Sequence, residues 1–596
     1  MRFIVTRFYG SNENEIRYHQ KQGSFHLIVI LFILFALFPK LSLAGEKLSF
    51  ERLELKAGVT VLKADGVEIE NSSLTADTLR TIFSDTAPAA QADALTKFDA
   101  DRIFVKSLRQ EQIINGQISA SILSNVTLTS IKSGIAASLK VDAGTFGSGD
   151  GNDAQAGTIG AITASEIDLG LFIAGGATKA GNKNEYRKAY GEAILNMIAV
   201  SSPTGPMITV ERASLRDFRI KTSELGLSGI AERVLRRQAQ PQMTDADMNA
   251  MALDMVDLFN GFSIGTMDAS QIRIEDKKSG DYSKINHAIY EGEANGKPQH
   301  IRMDGFEGAF TGSRVRLGSL EQSGFSFLPV YDSVKNLASK PNANFADADP
   351  IAFIPVIGKF KIRDVTIDTT DVPPVHAGLR SMELAVENPN GGVPKSMELT
   401  FDGLFGPISS DSNEPMIDSL IALGYRDVSL SGTLRLAIDE KAKMFKTETL
   451  LTGENMGTVG ATANLINVPV DLLMRNPTAA LIAFAGARIK DLSVTIENRG
   501  LADRLIDKDA IKTKRSPQDV RKNYAAAASA SLQIYLGMSP NAKALTKSLA
   551  KFIDKPTRLS IAAKAKNPDG VALAEGATAE SPAQVLEAFD LMISQN

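Results

Sequence analysis

The chain has 596 residues, of which 43% are hydrophobic, 22% charged and 6% aromatic, a composition that excludes collagen-like, low-complexity and multi-span membrane proteins. It exceeds the roughly 250–300 residues at which one core stops growing, so two to four domains or one layered body are expected. There is no cysteine, hence no disulfide, no thiolate zinc ligand and no cysteine nucleophile, and a net charge of −4 supplies no basic field for nucleic acid.

The N-terminus reads as an export signal. Arg2, Arg7, Arg17 and Lys21 precede a 14-residue apolar block from Phe25 to Phe38, and Ser42-Leu43-Ala44 places small residues three and one before a cut at Gly45. The block is shorter than the roughly 20 residues that span a bilayer, so residues 1–44 are expected to be a removed signal peptide and not an anchor. Its removal takes five basic and two acidic residues and leaves a net charge of −7. The expected location is periplasmic, or inner-membrane-associated if the segment is retained, in which case it is the expected membrane contact.

Downstream, a polar residue repeatedly precedes a short alternation of aliphatic and polar positions: Asn125-Val126-Thr127-Leu128, Asp217-Phe218-Arg219-Ile220, Asp364-Val365-Thr366-Ile367, Asp427-Val428-Ser429-Leu430 and Asp491-Leu492-Ser493-Val494. Period two predicts half-buried strands of antiparallel sheets. The longest copy puts Val428, Leu430, Leu434, Leu436 and Ile438 on one side, a candidate ligand-binding face, and Ser429, Ser431, Thr433, Arg435 and Asp439 on the other. Asp364, Asp427 and Asp491 lie 63 and 64 residues apart, which suggests an internal duplication.

Helices are expected at Glu185 to Val200, at Thr244 to Asn260 behind a capping-box pair of Thr244 and Asp247, and at about Asp471 to Ala485. A C-terminal helical hairpin is expected from Ser516-Pro517, the stop at Gly537, the restart at Ser539-Pro540 and the stripe Leu545, Leu549, Phe552, Ile553. The basic stretch Lys508 to Lys522 reads as a solvated loop. Joints are placed at Gly144 to Gly160, Ala231 to Gln242, Lys340 to Pro350 and Asn388 to Lys395. The predicted fold class is therefore α+β: predominantly antiparallel, twisted amphipathic sheets with packed helices. Its parts are a β-rich region 45–230, a helix-plus-β region 231–350 and an α+β region 351–596.

Motifs for chemistry are few. Gly261-Phe262-Ser263-Ile264-Gly265 spells the hydrolase string G-x-S-x-G, but the predicted helix comes before Ser263 and the strand after it, the reverse of a nucleophile elbow. Its general base would have to be His287, His300 or His376. Ser548-Leu549-Ala550-Lys551 matches S-x-x-K without a companion K-T-G element. Met248, Met251 and Met255 share a helical face that suits a cuprous ion, yet the face continues into Leu258 and Phe262 as core filler does. Asp150, Asn152 and Asp153 miss the spacing of a calcium loop, and Gly157 to Gly160 lacks the glycine and lysine of a nucleotide loop. No metal and no cofactor are expected.

With its export signal, absence of thiols and strands such as Tyr425 to Asp439, the chain resembles the AsmA-like and related envelope proteins of Gram-negative bacteria. That resemblance implies long curved sheets whose apolar concave face guides lipids. The expected function is a non-enzymatic envelope module binding lipid or another envelope protein; the alternative is an envelope serine hydrolase using Ser263.

Overall fold

The computed structural model describes residues 47–595 apart from 58–59, 84–87, 115–116, 149–154, 179–184, 204, 239–242, 294–297, 341–348, 371–373, 389–390, 409–413, 440, 469–484 and 574–581. The leader at 1–44, the loop bearing Asp150, Asn152 and Asp153, and nearly all of the helix expected from Asp471 lie outside the described residues. The chain divides into two compact units between Lys277 and Lys278.

The first unit runs β1 (Lys47–Ala57), β2 (Thr60–Glu70), α1 (Ala76–Phe83), α2 (Pro88–Leu95), β3 (Ala100–Ile114), β4 (Gln117–Lys132), β5 (Ile135–Val141), β6 (Ala143–Ser148), β7 (Gln155–Ile159), β8 (Ile162–Asp168), α3 (Leu169–Ile173), β9 (Tyr186–Ser201), β10 (Met207–Lys221), α4 (Gly226–Gln238), α5 (Asp245–Phe259) and β11 (Phe262–Glu275). Neighbouring strands pair antiparallel from β1 to β4. Between β4 and β9 the sheet is made of broken strands: β5 and β6 both pair with β4, while β7 and β8 both pair with β9. β9, β10 and β11 complete it. Its apolar side is a buried core that includes Leu79 of α1, Leu95 of α2, Leu171 and Phe172 of α3, and Ile103, Leu139, Ile167 and Leu215 of the strands. Buried Asp254 of α5 is held by Arg233, at 2.6 Å, and Arg237 of α4, so the two helices share one neutralised carboxylate.

The second unit contains β12 (Tyr282–Glu291), β13 (His300–Phe310), β14 (Ser313–Ser323), α6 (Leu328–Ala338), β15 (Gly358–Thr369), β16 (His376–Glu387), β17 (Ser396–Pro407), α7 (Pro415–Ala422), β18 (Asp427–Asp439), β19 (Met444–Gly453), β20 (Gly457–Ile466), β21 (Arg488–Asn498), α8 (Leu501–Thr513), α9 (Pro517–Leu536), α10 (Pro540–Asp554), β22 (Arg558–Ala565), β23 (Val571–Ala572), α11 (Pro582–Glu587) and β24 (Phe589–Gln595). From β12 to β22 each strand pairs antiparallel with the next, and β24 pairs with β22. The architecture is thus a β-rich α+β meander, as the alternating pattern implies.

The strands are not regular. Asn125, Asp217 and Asp364, read from the sequence as residues that precede strands, lie inside β4, β10 and β15 with φ of 52°, 52° and 55°. Left-handed backbone in mid-strand is costly for most residues and cheapest for Gly, Asn and Asp, which explains why this polar residue recurs. At each such place the cross-strand pairing lapses for one residue on both strands and resumes in the same register: Arg363 opposes Ser381 and Val365 opposes Leu379. The side-chain phase slips with it. In β3 the buried residues step from Ile103 and Val105 to Leu108 and Gln110; in β10 the buried apolar residues are Leu215, then Phe218 and Ile220. A three-residue step would carry the side chain to the other face of a regular strand. The crease cancels that flip and keeps one side of the sheet apolar.

At four contacts the crease has room for one Cβ only. A methyl group added at Gly318 would lie 2.9 Å from Asp364 Cβ, and one at Gly265 would lie 2.8 Å from Asp217 Cβ. Where the left-handed residue is itself glycine, as at Gly66 and Gly403, the facing residue keeps its side chain, Lys106 and Arg380 respectively.

Several sequence expectations change. Glu185 to Val200 is strand β9 and not a helix: Tyr190, Ala193, Leu195 and Ile198 pack on the core, and their mixed two- and three-residue steps imitate a helical stripe. Lys508 to Lys522 is mostly helical, in α8 and α9. Gly144 to Gly160 holds the paired strands β6 and β7, and Ala231 lies inside α4. Thr244 and Asp247 form the expected capping box of α5. Helices α9 and α10 begin at the caps Ser516 and Ser539 and pack on each other, but they stand between β21 and β22, and the chain ends in strand β24. Asp364, Asp427 and Asp491 occupy different settings: a mid-strand crease, the first residue of β18, and the interior of β21 beside a register shift.

A double-mutant cycle tests the crease. Gly318→Ala alone is expected to cost about 1–3 kcal/mol of unfolding free energy through overpacking. In an Asp364→Gly background, which vacates the Cβ, the same change is expected to cost at least about 1 kcal/mol less in urea unfolding.

Candidate functional site: an open apolar sheet face

The face predicted on β18 continues across the second unit through strand register. One row joins Ile285, Phe306, Leu317, Val365, Leu379, Leu404 and Leu430 on seven consecutive strands. A second joins Met303, Leu320, Ile362, Met382 and Phe401, three positions along and past the crease. Leu434 opposes Leu399, Leu436 opposes Met397, and Ile438 opposes Phe445. Beyond β18 the face passes through Leu451 and Val459 to Ile496 and Leu559.

This face is open where its counterpart in the first unit is closed. Val428, Leu430, Leu434, Leu436 and Ile438 are all half-buried. Leu404, Leu451 and Val459 are exposed by 44%, 44% and 49%. Among the described residues, close helix-on-strand packing in this unit is confined to α10 on β22 and β24 and α11 on β24. The first-unit residues Ile103, Leu139 and Ile167 are by contrast buried.

The opposite side is a polar lattice. Lys361 pairs with Glu383 at 2.7 Å, Arg380 with Asp402 at 2.7 Å, and Arg435 with Glu398 at 2.9 Å and Glu448 at 3.5 Å. The Lys361 ammonium holds the Glu383 carboxyl below its ordinary range, Arg302 does the same for Asp304, and the Tyr282 hydroxyl for Glu307. Asp402 is lowered first by the Ser431 hydroxyl, then by Arg380. These cross-strand pairs are solvent-accessible, so each contributes little alone; together they fix which side faces water.

The remaining candidates are dispersed. Ser263 lies in β11 opposite Arg219 of β10, with helix α5 before it, so strand and helix stand in the reverse of elbow order. The three histidines downstream of it belong to the second unit, and each has a carboxylate beside it: His287 lies 4.0 Å from Asp304, His300 is 3.1 Å from Glu291 and 3.3 Å from Glu321, and His376 is 2.7 Å from Asp368. Met248 is exposed, whereas Met251 and Met255 are half-buried and Leu258 and Phe262 of the same stripe pack on the core. Among the described residues no group of three or more His, Cys, Asp or Glu is placed to hold a metal. Gly157 to Ile159 form the end of β7, and Ser548 and Lys551 lie within α10. The sequence pointed to the β18 residues; it missed the partners on the other strands because crease steps hide their common face.

A family model described as "Uncharacterized protein" matches residues 450–596, from within β19 to the end of the chain. Comparison with curated proteins gives no match.

Two measurements check the description of the sheet. Leu434→Ala is expected to cost about 1 kcal/mol, against about 2–5 kcal/mol for Leu139→Ala in the buried core, read by urea unfolding. The lowered carboxyls work in one direction. Their stabilisation is fully present above the unfolded values near pH 4 and is lost as pH falls through the lower folded values. Stability of the second unit should therefore drop between about pH 5 and pH 2, less steeply in Lys361→Gln/Arg302→Gln protein.

Proposed function

We propose that this is an exported, non-enzymatic envelope protein whose second unit holds the acyl chains of a lipid against its apolar sheet face. The observation that carries the reading is the exposure of Leu404, Leu451 and Val459 on the same face as Val428, Leu430, Leu434, Leu436 and Ile438. Full burial of a Leu or Val side chain is worth about 1.5–3 kcal/mol, and a half-open face forgoes much of that. A bound chain recovers about 0.8 kcal/mol for each methylene it removes from water. Among the described residues the rows of this face are aliphatic and aromatic, and they offer length, which suits an extended hydrocarbon.

The basic, apolar and small-residue order of positions 1–44 supports export and a periplasmic or membrane-associated location. The resemblance to AsmA-like envelope proteins points the same way. An envelope protein docking on the face is the other occupant of this class.

The test is purification of the processed chain from its native envelope, with co-purifying lipid identified by mass spectrometry. Lipid is expected with the wild type and is expected to fall severalfold in Leu404→Glu/Leu430→Glu/Leu451→Glu protein that keeps its circular dichroism spectrum. Wild-type protein free of lipid would overturn the proposal.

A further inference from the structure

We infer that the turn between α9 and α10 is a second lipid-facing element, one that docks on the surface of an anionic bilayer. It is independent of the sheet face. The end of α9 exposes Ile534 by 87% and Tyr535 by 68%, and the turn after it exposes Met538 by 61%. Three large apolar side chains within five residues form one exposed cluster, and they sit beside Gly537, whose φ of 77° ends α9. A loose loop could display such residues by accident. This turn is fixed: the Asn541 side-chain amide donates to the carbonyls of Leu586 at 3.0 Å and Phe589 at 2.8 Å, and its backbone N–H donates to the Glu587 carboxylate at 3.2 Å.

Charge selects the partner. Residues 501–554 carry ten Lys or Arg against five Asp or Glu, a net of +5 within a chain whose total is −4. Lys543, Lys547 and Lys551 of α10 are all exposed, at i, i+4 and i+8 on one helical face, and none forms an ion pair with a described residue. Like charges at that spacing repel and destabilise a helix, so the stripe is unfavourable unless an anionic surface meets it. Ala542 and Thr546, on the other side of α10, are buried, so the lysine face is the free one. An apolar tip containing a tyrosine, followed within one turn by lysines, is the pairing that an interfacial element uses: side chains enter the headgroup boundary while ammonium groups meet lipid phosphates.

The full processed chain is to be sedimented with vesicles of phosphatidylglycerol mixed with phosphatidylcholine, and with phosphatidylcholine alone. Binding is expected to the anionic vesicles and to weaken with salt. Lys543→Gln/Lys547→Gln/Lys551→Gln is expected to lower the partition coefficient roughly a hundredfold, since each lysine contributes about fivefold at a charged surface. Ile534→Ser/Met538→Ser, at exposed positions that leave folding intact, is expected to lower it as well. Equal binding to both vesicle types, no binding, or tip and lysine variants that bind like the wild type would overturn the inference. Self-association lost in the tip variant, without vesicle binding, would assign the turn to a second copy of the chain.

Discussion

The fold depends on a backbone feature that recurs in several strands: a left-handed residue in mid-strand, at four places in close contact with the strand beside it where one of the two residues is glycine. Asp364 against Gly318 and Asp217 against Gly265 are one form, and Gly66 against Lys106 and Gly403 against Arg380 are the reverse form. At these four contacts one of the two facing residues is a glycine, and its partner supplies the side chain. At Asp364 the pairing resumes in register with both neighbouring strands, so that crease costs each strand pair one lapse and leaves the sheet continuous.

That constraint explains which parts of the molecule were legible in the sequence. Strands such as β18, with no left-handed residue, show an unbroken period of two, and their faces were readable from Val428 to Ile438. In β9 the slips beside Gly191 and Met197 turn the apolar spacing into threes and twos, and the segment passes for a helix. The recurring aspartate or asparagine was visible, but its role was not: nothing local distinguishes a residue that starts a strand from one that bends it. Helix boundaries were more legible, because Ser516, Ser539 and Thr244 cap their helices by hydrogen bonds that depend only on neighbouring residues. The position of α9 and α10 between two strands was not, since only long-range pairing of β21 with β22 decides it.

The same grammar yields two kinds of surface. In the first unit α1, α2 and α3 contribute Leu79, Leu95 and Phe172 to the side on which the strands turn their aliphatic residues, and the result is a closed core. In the second unit the corresponding side of β12 to β20 is left half-open, while the other side is tied by Lys361–Glu383 and Arg435–Glu398. The difference between a closed core and a half-open face thus follows where helices are inserted, and the strand sequences themselves are similar in pattern.

From β12 to β22 every strand pairs with its immediate successor in the chain. Such a ribbon is modular. A hairpin added or deleted as a unit leaves the hand, the direction and the wet and dry sides of its neighbours intact, because an even number of strands restores the chain's heading. The span of the ribbon can accordingly change in steps of two strands without redesign of what remains, so that gene-level insertions act on this protein as a change of reach and not of chemistry.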